Sequence, residues 1–417
     1  MPTLKAVYEP GPVFVNNNFR LELSENFFSS SKYEGMIESL ILSKLFFNIF
    51  FEKIILLSSI RENSGKEETV SKNKIIIIYK KAYYLFFCIF CLFLFINTSD
   101  ANNIKNSAVV FMYHKFDVAK YPSTNIKKEQ FQSHIEEFTK SKYNILPLNY
   151  IVDTIINDGE LPKNTIGVSV DDADESFINI AWPIFKENKI PVTLFVNTST
   201  IVENNKNYLS WDQIRQLKKE GVTIGAHSHT HSHMPTLSIE EIKEEIEKSN
   251  KIFLRELGEI PLLFAYPYGE ADERIFNIIK DYKYKVAFGQ HSGVINETSN
   301  LYYLPRFSLN EKYGNIDRVK FAANTKGLGV YDFIPSNPSV SENPPFIGFS
   351  LLDQSLAKSI NCFIFDNNGQ VEKEIFKFNE RIEIRLKRKL NKGRSRLNCT
   401  AIDKNNNWRW FGYQFYL

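Results

Sequence analysis

Cysteine is scarce in this sequence, with four residues in a chain of 417, so a scaffold held by many disulfides is excluded. An excess of one charge sign is also lacking. The 51 basic and 48 acidic side chains leave a formal charge of +3, which provides no general field for nucleic acid, and we predict no nucleic-acid partner. At roughly 150 residues per domain, the length predicts two or three folded units.

One long apolar run stands out, at residues 82–96, directly after Lys80 and Lys81. Such a run, with basic residues before it and small residues after it, is typical of a signal peptide, since a spanning helix needs about 20 residues. We predict a signal peptide over residues 80–101 and an exported protein, periplasmic or secreted. The alternative is an uncleaved anchor that associates with the membrane through residues 82–96.

Residues 1–79 show no pattern of turn-delimited strands and helices. We predict that this stretch is a dispensable extension or the product of an upstream start codon. A membrane-associated amphipathic hairpin is the alternative.

Strand-like and helical segments alternate over residues 106–332. The predicted strands cover residues 107–113, 165–170, 191–196, 222–226 and 262–266, and the predicted helices cover residues 128–140, 177–187, 211–219 and 239–257. Alternation of this kind predicts a buried parallel sheet, open or closed into a barrel. Functional residues of such sheets gather at the carboxyl ends of the strands.

The alternation stops near residue 332. A stretch rich in Pro and Ser at residues 333–345 predicts a linker. Short alternating strands separated by turn signals over residues 346–417 predict a small β sandwich. This module contains Cys362 and Cys399, which in an exported protein are candidates for one disulfide.

Two adjacent carboxylates, Asp171 and Asp172, follow the predicted strand at residues 165–170. Neighbouring carboxylates at a buried strand end repel each other unless a cation or a base shares the site. An Asp-rich turn that caps the next helix is the alternative.

Four of the seven histidines alternate along one short segment, as His227, His229, His231 and His233. An extended segment would place all four on one face, whereas a turn would bring His227 and His231 together. Because imidazole and carboxylate groups are the usual ligands of Zn and similar ions, the segment predicts a metal site.

A third group, Tyr266-Pro267-Tyr268-Gly269, follows another predicted strand. Pro and Gly favour a rigid turn, in which the aromatic rings would form a platform and a backbone N–H would face an oxyanion. A plain turn between strand and helix is the alternative.

Together these three motifs resemble, in order and context, those of the polysaccharide deacetylases of carbohydrate esterase family 4. Met112-Tyr113-His114 and residues 190–196 are similar to the branch of that family that acts on poly-N-acetylglucosamine. The resemblance covers residues 106–323 and leaves both ends of the chain unexplained.

The resemblance implies an α/β fold, a deformed (β/α) barrel, to which the sequence adds the C-terminal all-β sandwich. It implies a divalent metal, Zn or alternatively Co, bound by Asp172, His227 and His231. Asp171 would act as the general base that activates water for attack on an acetyl carbonyl.

Further residues enter through the same resemblance. The backbone N–H of Tyr268 would stabilise the oxyanion. Tyr266, Pro267 and His114 are expected at the substrate.

The sequence departs from the family pattern at three positions. Ala173 replaces a glycine. Ala265 replaces the arginine that often opens the third motif, so Arg306 is the candidate, by position, for orienting Asp171. No histidine follows His291, so the late Leu-x-His motif that supplies the general acid in many members of the family is missing. His291 is the candidate to replace it as the general acid. The alternative is that His291 is an exposed histidine of a loop.

The leading prediction is an exported, metal-dependent hydrolase that removes N-acetyl groups from an N-acetylglucosamine-containing polysaccharide or oligosaccharide. An O-acetyl carbohydrate esterase of the xylan type is one alternative. A catalytically weakened glycan-binding or assembly protein is the other.

His229 with His233 has the same spacing as His227 with His231. The small residues Gly225 and Ala226, which directly precede His227, favour His227 with His231 as the metal ligands.

Overall fold

The computed structural model describes residues 104–202 and 205–417, which belong to one compact unit, Ile96–Leu417. The predicted signal peptide and the extension before it lie outside the described residues. Among the described helices, none combines the length and the apolar character that crossing a membrane requires.

In the described chain, residues 108–308 supply ten strands. They are β1 Ala108–Tyr113, β2 Lys115–Phe116, β3 Asn125–Ile126, β4 Asn144–Ile145, β5 Thr165–Asp171, β6 Thr193–Val196, β7 Thr223–Ala226, β8 Leu263–Ala265, β9 Val286–Phe288 and β10 Phe307–Ser308. The main sheet has the order β10-β1-β5-β6-β7-β8-β9, with β4 also paired to β5, and every pairing in it is parallel. A parallel bridge between Phe288 and Leu304 links β9 to the chain that enters β10, so the sheet curls towards closure.

Helices alternate with these strands. They are α1 Lys128–Phe138, α2 Leu148–Ile156, α3 Trp182–Glu187, α4 Thr198–Val202, α5 Trp211–Lys219, α6 Ile239–Leu257, α7 Glu273–Asp281 and α8 Ile316–Ala323. The predicted helix at residues 177–187 begins as a π-helix, Phe177–Ala181, before α3. Pro183 explains the difference, because proline cannot donate to the preceding turn and its ring displaces that turn.

The strands are buried on both faces, as expected for a parallel sheet covered by helices. In β1, Val109 and Phe111 join the larger apolar cluster, whereas Ala108 and Val110 join a second cluster with α2. This alternation follows the two-residue period of a strand. The predicted fold class, an α/β deformed barrel, is therefore confirmed.

The last part of the described chain, residues 326–417, is mainly β structure. Its strands are β11 Lys326–Gly327, β12 Val330–Ile334, β13 Ile347–Leu351, β14 Asn361–Asp366, β15 Gly369–Val371, β16 Lys373–Phe378, β17 Arg381–Leu386, β18 Arg394–Ile402 and β19 Trp408–Tyr416. They form a five-stranded sheet, β11-β19-β18-β14-β15, and a four-stranded sheet, β12-β13-β17-β16. We refer to residues 346–417 as the C-terminal module.

The C-terminal module is attached to the barrel by backbone and side-chain contacts. β11 pairs in parallel with β19, and the Trp410 ring packs edge-on against Phe307 of β10 with centroids 5.1 Å apart. Within the module, Cys362 of β14 and Cys399 of β18 lie opposite each other and form a disulfide. The disulfide expected from the sequence is therefore present.

One buried histidine ties α1 to the barrel. The Tyr113 hydroxyl donates to Nδ1 of His134 (3.0 Å), and His134 Nε2 donates to the carbonyl of Gly314 (2.7 Å). Burial, with a smaller contribution from Arg318, lowers the pKa of His134 to about 4. The unfolded chain therefore takes up a proton at a pH where the folded chain does not.

We expect this difference to make folding sensitive to acid. As the pH falls from 6.5 to 4, the free energy of unfolding should fall by about 3 kcal/mol because of His134, since the unfolded state binds more protons. Urea unfolding between pH 7 and 4, with chelator present, measures this loss. In His134→Gln the fall should be shallower by that amount, and parallel curves for the two proteins would contradict the prediction.

Candidate active site

The predicted functional residues meet at the carboxyl ends of the central strands. Asp171 is the last residue of β5, and Asp172 follows it in a left-handed conformation with φ of 75°. His227 directly follows β7. Gly225, two residues earlier, is required because a Cβ there would lie 2.4 Å from the Phe195 ring.

The histidine segment is a turn rather than an extended strand. Ser228 and His231 both have left-handed φ values, 62° and 60°, and the His231 N–H donates to Oγ of Ser228 (3.1 Å). The turn brings the His227 and His231 rings to a centroid distance of 4.8 Å. Of the two arrangements that the sequence allowed, the structure has the one that joins these two residues.

Asp172, His227 and His231 converge on one point. Oδ1 of Asp172 lies 3.5 Å from Nε2 of His227 and 3.4 Å from Nε2 of His231. Each residue offers one ligand atom, and these atoms all lie within 4.8 Å of one another. Among the described residues, Asp172 Oδ1 and His227 Nε2 are buried and have no hydrogen-bond partner.

This donor set suits a divalent cation of the zinc type. Two imidazole nitrogens and one carboxylate oxygen are ligands that Zn accepts while leaving positions open for other ligands. Nδ1 of His227 donates to the carbonyl of Ala265 (2.7 Å), which fixes the tautomer that leaves Nε2 free to bind metal. A cation would satisfy the two buried atoms that otherwise have no partner.

The charges of the site act on one another. Burial alone raises the pKa of Asp172, but His227, His114 and His231 lower it, and the result is well below the usual range. Burial lowers the pKa of His231 to about 4, with a further contribution from His227. His231 is therefore neutral at physiological pH, as a metal ligand must be.

Asp171 is held by Arg306 in a two-point ion pair. Nη1 donates to Oδ1 (2.7 Å) and Nη2 donates to Oδ2 (2.9 Å), and both side chains are fully buried. Nε of Arg306 donates to the carbonyl of Gly289 (2.9 Å), so the guanidinium is fixed from both sides. Burial raises the pKa of Asp171, but Arg306, His227 and His114 outweigh it, and the pKa lies below its ordinary value.

The third motif forms a tight turn after β8. Pro267–Gly269 is a 3-10 turn in which Tyr268 has a left-handed φ of 59°. The Tyr268 ring packs edge-on against His231, with centroids 4.6 Å apart, and stacks on His233 at 4.0 Å. Tyr268 therefore borders the metal ligands.

Residues of the C-terminal module hold this turn. Nε2 of the buried Gln414 donates to the carbonyl of Gly269 (2.8 Å), and Nη1 of Arg394 donates to the carbonyl of Tyr268 (3.4 Å). A left-handed tyrosine is strained and needs support from its surroundings. The two strands β18 and β19 provide part of that support.

The other predicted site residues have different surroundings. The Tyr266 ring is fully buried and its hydroxyl donates to the carbonyl of Tyr302 (3.0 Å), so it packs within the core rather than facing a substrate. Pro267 is buried and starts the turn that carries Tyr268. His114 follows β1, is partly buried, and lies close enough to lower the pKa of both Asp171 and Asp172.

His291 is neither an exposed loop histidine nor an accessible general acid beside the metal ligands. It is 1% exposed, so it is not a loop histidine in solvent, and its ring packs against Tyr303 with centroids 4.6 Å apart. Burial, together with the positive charges of Arg396 and Arg306, lowers its pKa to about 3. The structure therefore does not bring His291 to the metal ligands as an accessible proton donor.

Two acidic residues that the sequence did not single out organise the histidine segment. Glu245 of α6 accepts hydrogen bonds from the backbone N–H groups of His229 (3.1 Å) and Thr230 (2.8 Å). Glu270 accepts from Nδ1 of His233 (2.6 Å). Glu245 carried a signal, because it lies among apolar residues on the buried face of α6, where an unpaired carboxylate would be costly.

We expect Glu245→Ala to weaken metal binding although Glu245 touches no ligand. Losing its hydrogen bonds would loosen the turn that carries His227 and His231, and outer hydrogen-bond partners of metal sites are worth about 10- to 100-fold in affinity. Competition with a chromogenic chelator measures this affinity. Glu244→Ala, the exposed neighbour, is the matched control, and equal affinities in the two variants would contradict the prediction.

Comparisons with known proteins find similar sequences and structures. Residues 158–287 match the family model described as polysaccharide deacetylase. Over 221 residues the chain is 25% identical to the poly-beta-1,6-N-acetyl-D-glucosamine N-deacetylase of Staphylococcus aureus (strain MSSA476). The matched region covers 50% of this chain and 75% of that relative.

Two solved structures are similar to this chain. Streptococcus pyogenes deacetylase PplD in complex with acetate is 18% identical, with a TM-score of 0.49 over 52% of this chain and 99% of that one. IcaB from Ammonifex degensii is 20% identical, with a TM-score of 0.47 over 52% of this chain and 97% of that one. The resemblance read from the motifs is confirmed by the family match, which places the similarity to polysaccharide deacetylases within the α/β domain, at residues 158–287.

Proposed function

We propose that this chain is a divalent-metal-dependent enzyme that removes N-acetyl groups from an N-acetylglucosamine-containing polysaccharide or oligosaccharide. One observation carries the proposal: Asp172, His227 and His231 converge beside a buried carboxylate, Asp171, that Arg306 fixes in place. The family of the domain and the substrate named for the staphylococcal relative support the choice of reaction and polymer.

Asp172, His227 and His231 would hold the cation. Bound there, it would supply Lewis-acid polarisation of the acetyl carbonyl and lower the pKa of a water. Zn fits this donor set, and Co is the alternative.

Asp171 is the group that accepts a proton from the attacking water. Arg306 keeps the carboxylate ionised and fixes its plane, while each carboxylate oxygen retains a second lone pair for a water molecule. Attack on the acetyl carbon then places negative charge on the former carbonyl oxygen. The backbone N–H of Tyr268, in the turn that borders His231, would donate to that oxygen.

The leaving nitrogen must be protonated as its bond to the acetyl carbon breaks. The lowered pKa of His291, about 3, leaves its imidazole uncharged at physiological pH, so Asp171, which has gained the proton of the water, is the group that returns it to the nitrogen. The products are acetate and a free amine on the sugar.

We also propose that the protein acts outside the cytoplasm. The disulfide between Cys362 and Cys399 supports an oxidising compartment. The signal-like run at residues 80–101 leads to the same location. Sequencing the N-terminus of the mature protein tests the cleaved signal peptide, for which a start near Ala101 is expected, and a start before Lys80 would contradict the prediction that residues 1–79 are dispensable.

Acetate release tests the enzymatic function. Purified protein beginning after Ala101 is incubated with N-acetylglucosamine oligomers and with O-acetylated xylan, with and without chelator and with added Zn or Co. The proposal expects chelator-sensitive acetate release from the N-acetylated oligomers, with one new amine per acetate. Release from xylan alone would support the O-acetyl esterase, and chelator-insensitive release would overturn the role of the metal.

A further inference from the structure

A cleft of about 330 Å³ lies where the C-terminal module meets the barrel. The barrel contributes His233, Thr236 and Glu270, and the module contributes Asn367, Arg394 and Tyr416. We propose that this cleft binds a neutral N-acetylglucosamine residue of the glycan, next to the residue undergoing deacetylation. The inference rests on the proposed function and assigns a substrate-binding role to the module.

The cleft is joined to the metal ligands by a row of rings. Tyr268 packs edge-on against His231 on one side and stacks on His233 on the other, nearly parallel to it at 9°. His233 lines the cleft, whereas His231 belongs to the metal site. A glycan with one sugar at the metal would therefore have a neighbouring sugar within reach of the cleft.

The lining is suited to hydroxyl and amide groups rather than to a charged ligand. The buried Glu270 carboxylate is paired with His233 Nδ1 at 2.6 Å and with Arg394 Nε at 3.5 Å, so the central charges compensate each other. An arginine side chain has five N–H donors, and the hydrogen bond of Arg394 to the Tyr268 carbonyl uses one. The exposed amide of Asn367 adds a second polar group from the module.

Two other basic residues of the module are already paired with carboxylates. Arg388 forms a two-point ion pair with Asp366, at 2.6 and 3.1 Å. Lys387 is paired with Glu374. The volume is at the lower end of the range of about 300–1,000 Å³ found for small-ligand sites, which suits a short glycan segment.

Equilibrium binding tests the cleft separately from catalysis. Chelator-treated protein is titrated calorimetrically with N-acetylglucosamine and with its tri- and pentasaccharides. We expect the wild-type protein to bind the longer glycans more tightly than the monosaccharide. Asn367→Ala and Arg394→Met should each weaken binding of the longer glycans by about five- to tenfold, as loss of a hydrogen bond would, with binding of the monosaccharide unchanged.

Matched controls come from the same module. Asn368→Ala changes the neighbouring asparagine, which does not line the cleft, and Arg385→Met changes an arginine that lies over the Phe346 ring on the other sheet. Both controls should bind the glycans as the wild type does. Asn367 makes no described contact with the Tyr268 turn, so its variant separates sugar binding from support of that turn.

The outcomes distinguish this inference from the proposed function. If acetate is released but binding does not depend on glycan length, the proposed role of the cleft is wrong and the enzymatic function stands. The same conclusion follows if acetate is released and both cleft variants bind the glycans as the wild type does. Length-dependent binding that the cleft variants lose, without acetate release from any glycan, would overturn the enzymatic function alone. Absence of both binding and acetate release would overturn both.

Discussion

His227→Ala and His231→Ala should each lose bound metal and acetate release together. The two nitrogens and Oδ1 of Asp172 converge on one point, so removal of either imidazole leaves only two protein ligands. The loss of affinity should exceed the roughly 10- to 100-fold that removal of an outer hydrogen-bond partner costs. Metal content per chain after dialysis, together with acetate release, measures the effect.

His229→Ala is the matched control for these variants. His229 lies in the same turn, but its Nδ1 is hydrogen-bonded to Oγ1 of Thr198 (2.9 Å) rather than directed at Asp172. We expect this variant to retain its metal. Loss of metal in His229→Ala with full occupancy in His231→Ala would favour the other histidine pair and contradict the assignment.

Much of the barrel could be predicted because its signals are local. The helices at residues 211–219 and 239–257 have the bounds expected from their apolar periodicity. Each is preceded by a serine that accepts a hydrogen bond from the backbone N–H of the third residue of the helix. The motifs follow strands of one parallel sheet, and the carboxyl ends of those strands meet at one edge. The meeting of Asp172 with His227 and His231 follows from this arrangement.

Contacts between distant segments could not be predicted in the same way. Gln414 and Arg394 support the Tyr268 turn across 145 and 126 residues of sequence, and neither belongs to a motif. Their positions depend on how the C-terminal module docks, which no local periodicity describes. The cleft beside His233 depends on the same docking.

The burial of His291 could not be predicted from the sequence for a different reason. Its flanking Gly289 and Gln290 suggest a loop, and the segment is indeed irregular, yet the histidine is buried against Tyr303 and near Tyr413 of β19. A loop covered by a module that lies more than 100 residues farther along the chain cannot be recognised as buried from its own sequence. The choice of Arg306 rested on position alone, and its contact with Asp171 required the structure.

Arg306→Leu should be the most destabilising single change at the site. The substitution leaves the Asp171 carboxylate fully buried without its counter-charge, and breaking a buried ion pair in this way costs about 3–5 kcal/mol. Acetate release should fall as well, because the plane of the carboxylate is no longer fixed relative to the attacking water. Urea unfolding and an acetate assay on the folded fraction measure the two effects.

Two comparisons separate the ion pair from the loss of a large buried side chain. Arg318 is also largely buried, but it donates to the carbonyls of Ser308 and Tyr313 and pairs with no carboxylate among the described contacts, so Arg318→Leu should be less destabilising. The double variant Asp171→Asn with Arg306→Leu removes both charges and should regain part of the lost stability without regaining activity, since the base is absent. A loss of stability in Arg306→Leu no larger than that in Arg318→Leu would show that the Asp171 charge is compensated by another group. Partial recovery in the double variant would instead assign the loss to the uncompensated carboxylate, which is the group on which the proposed proton transfer depends.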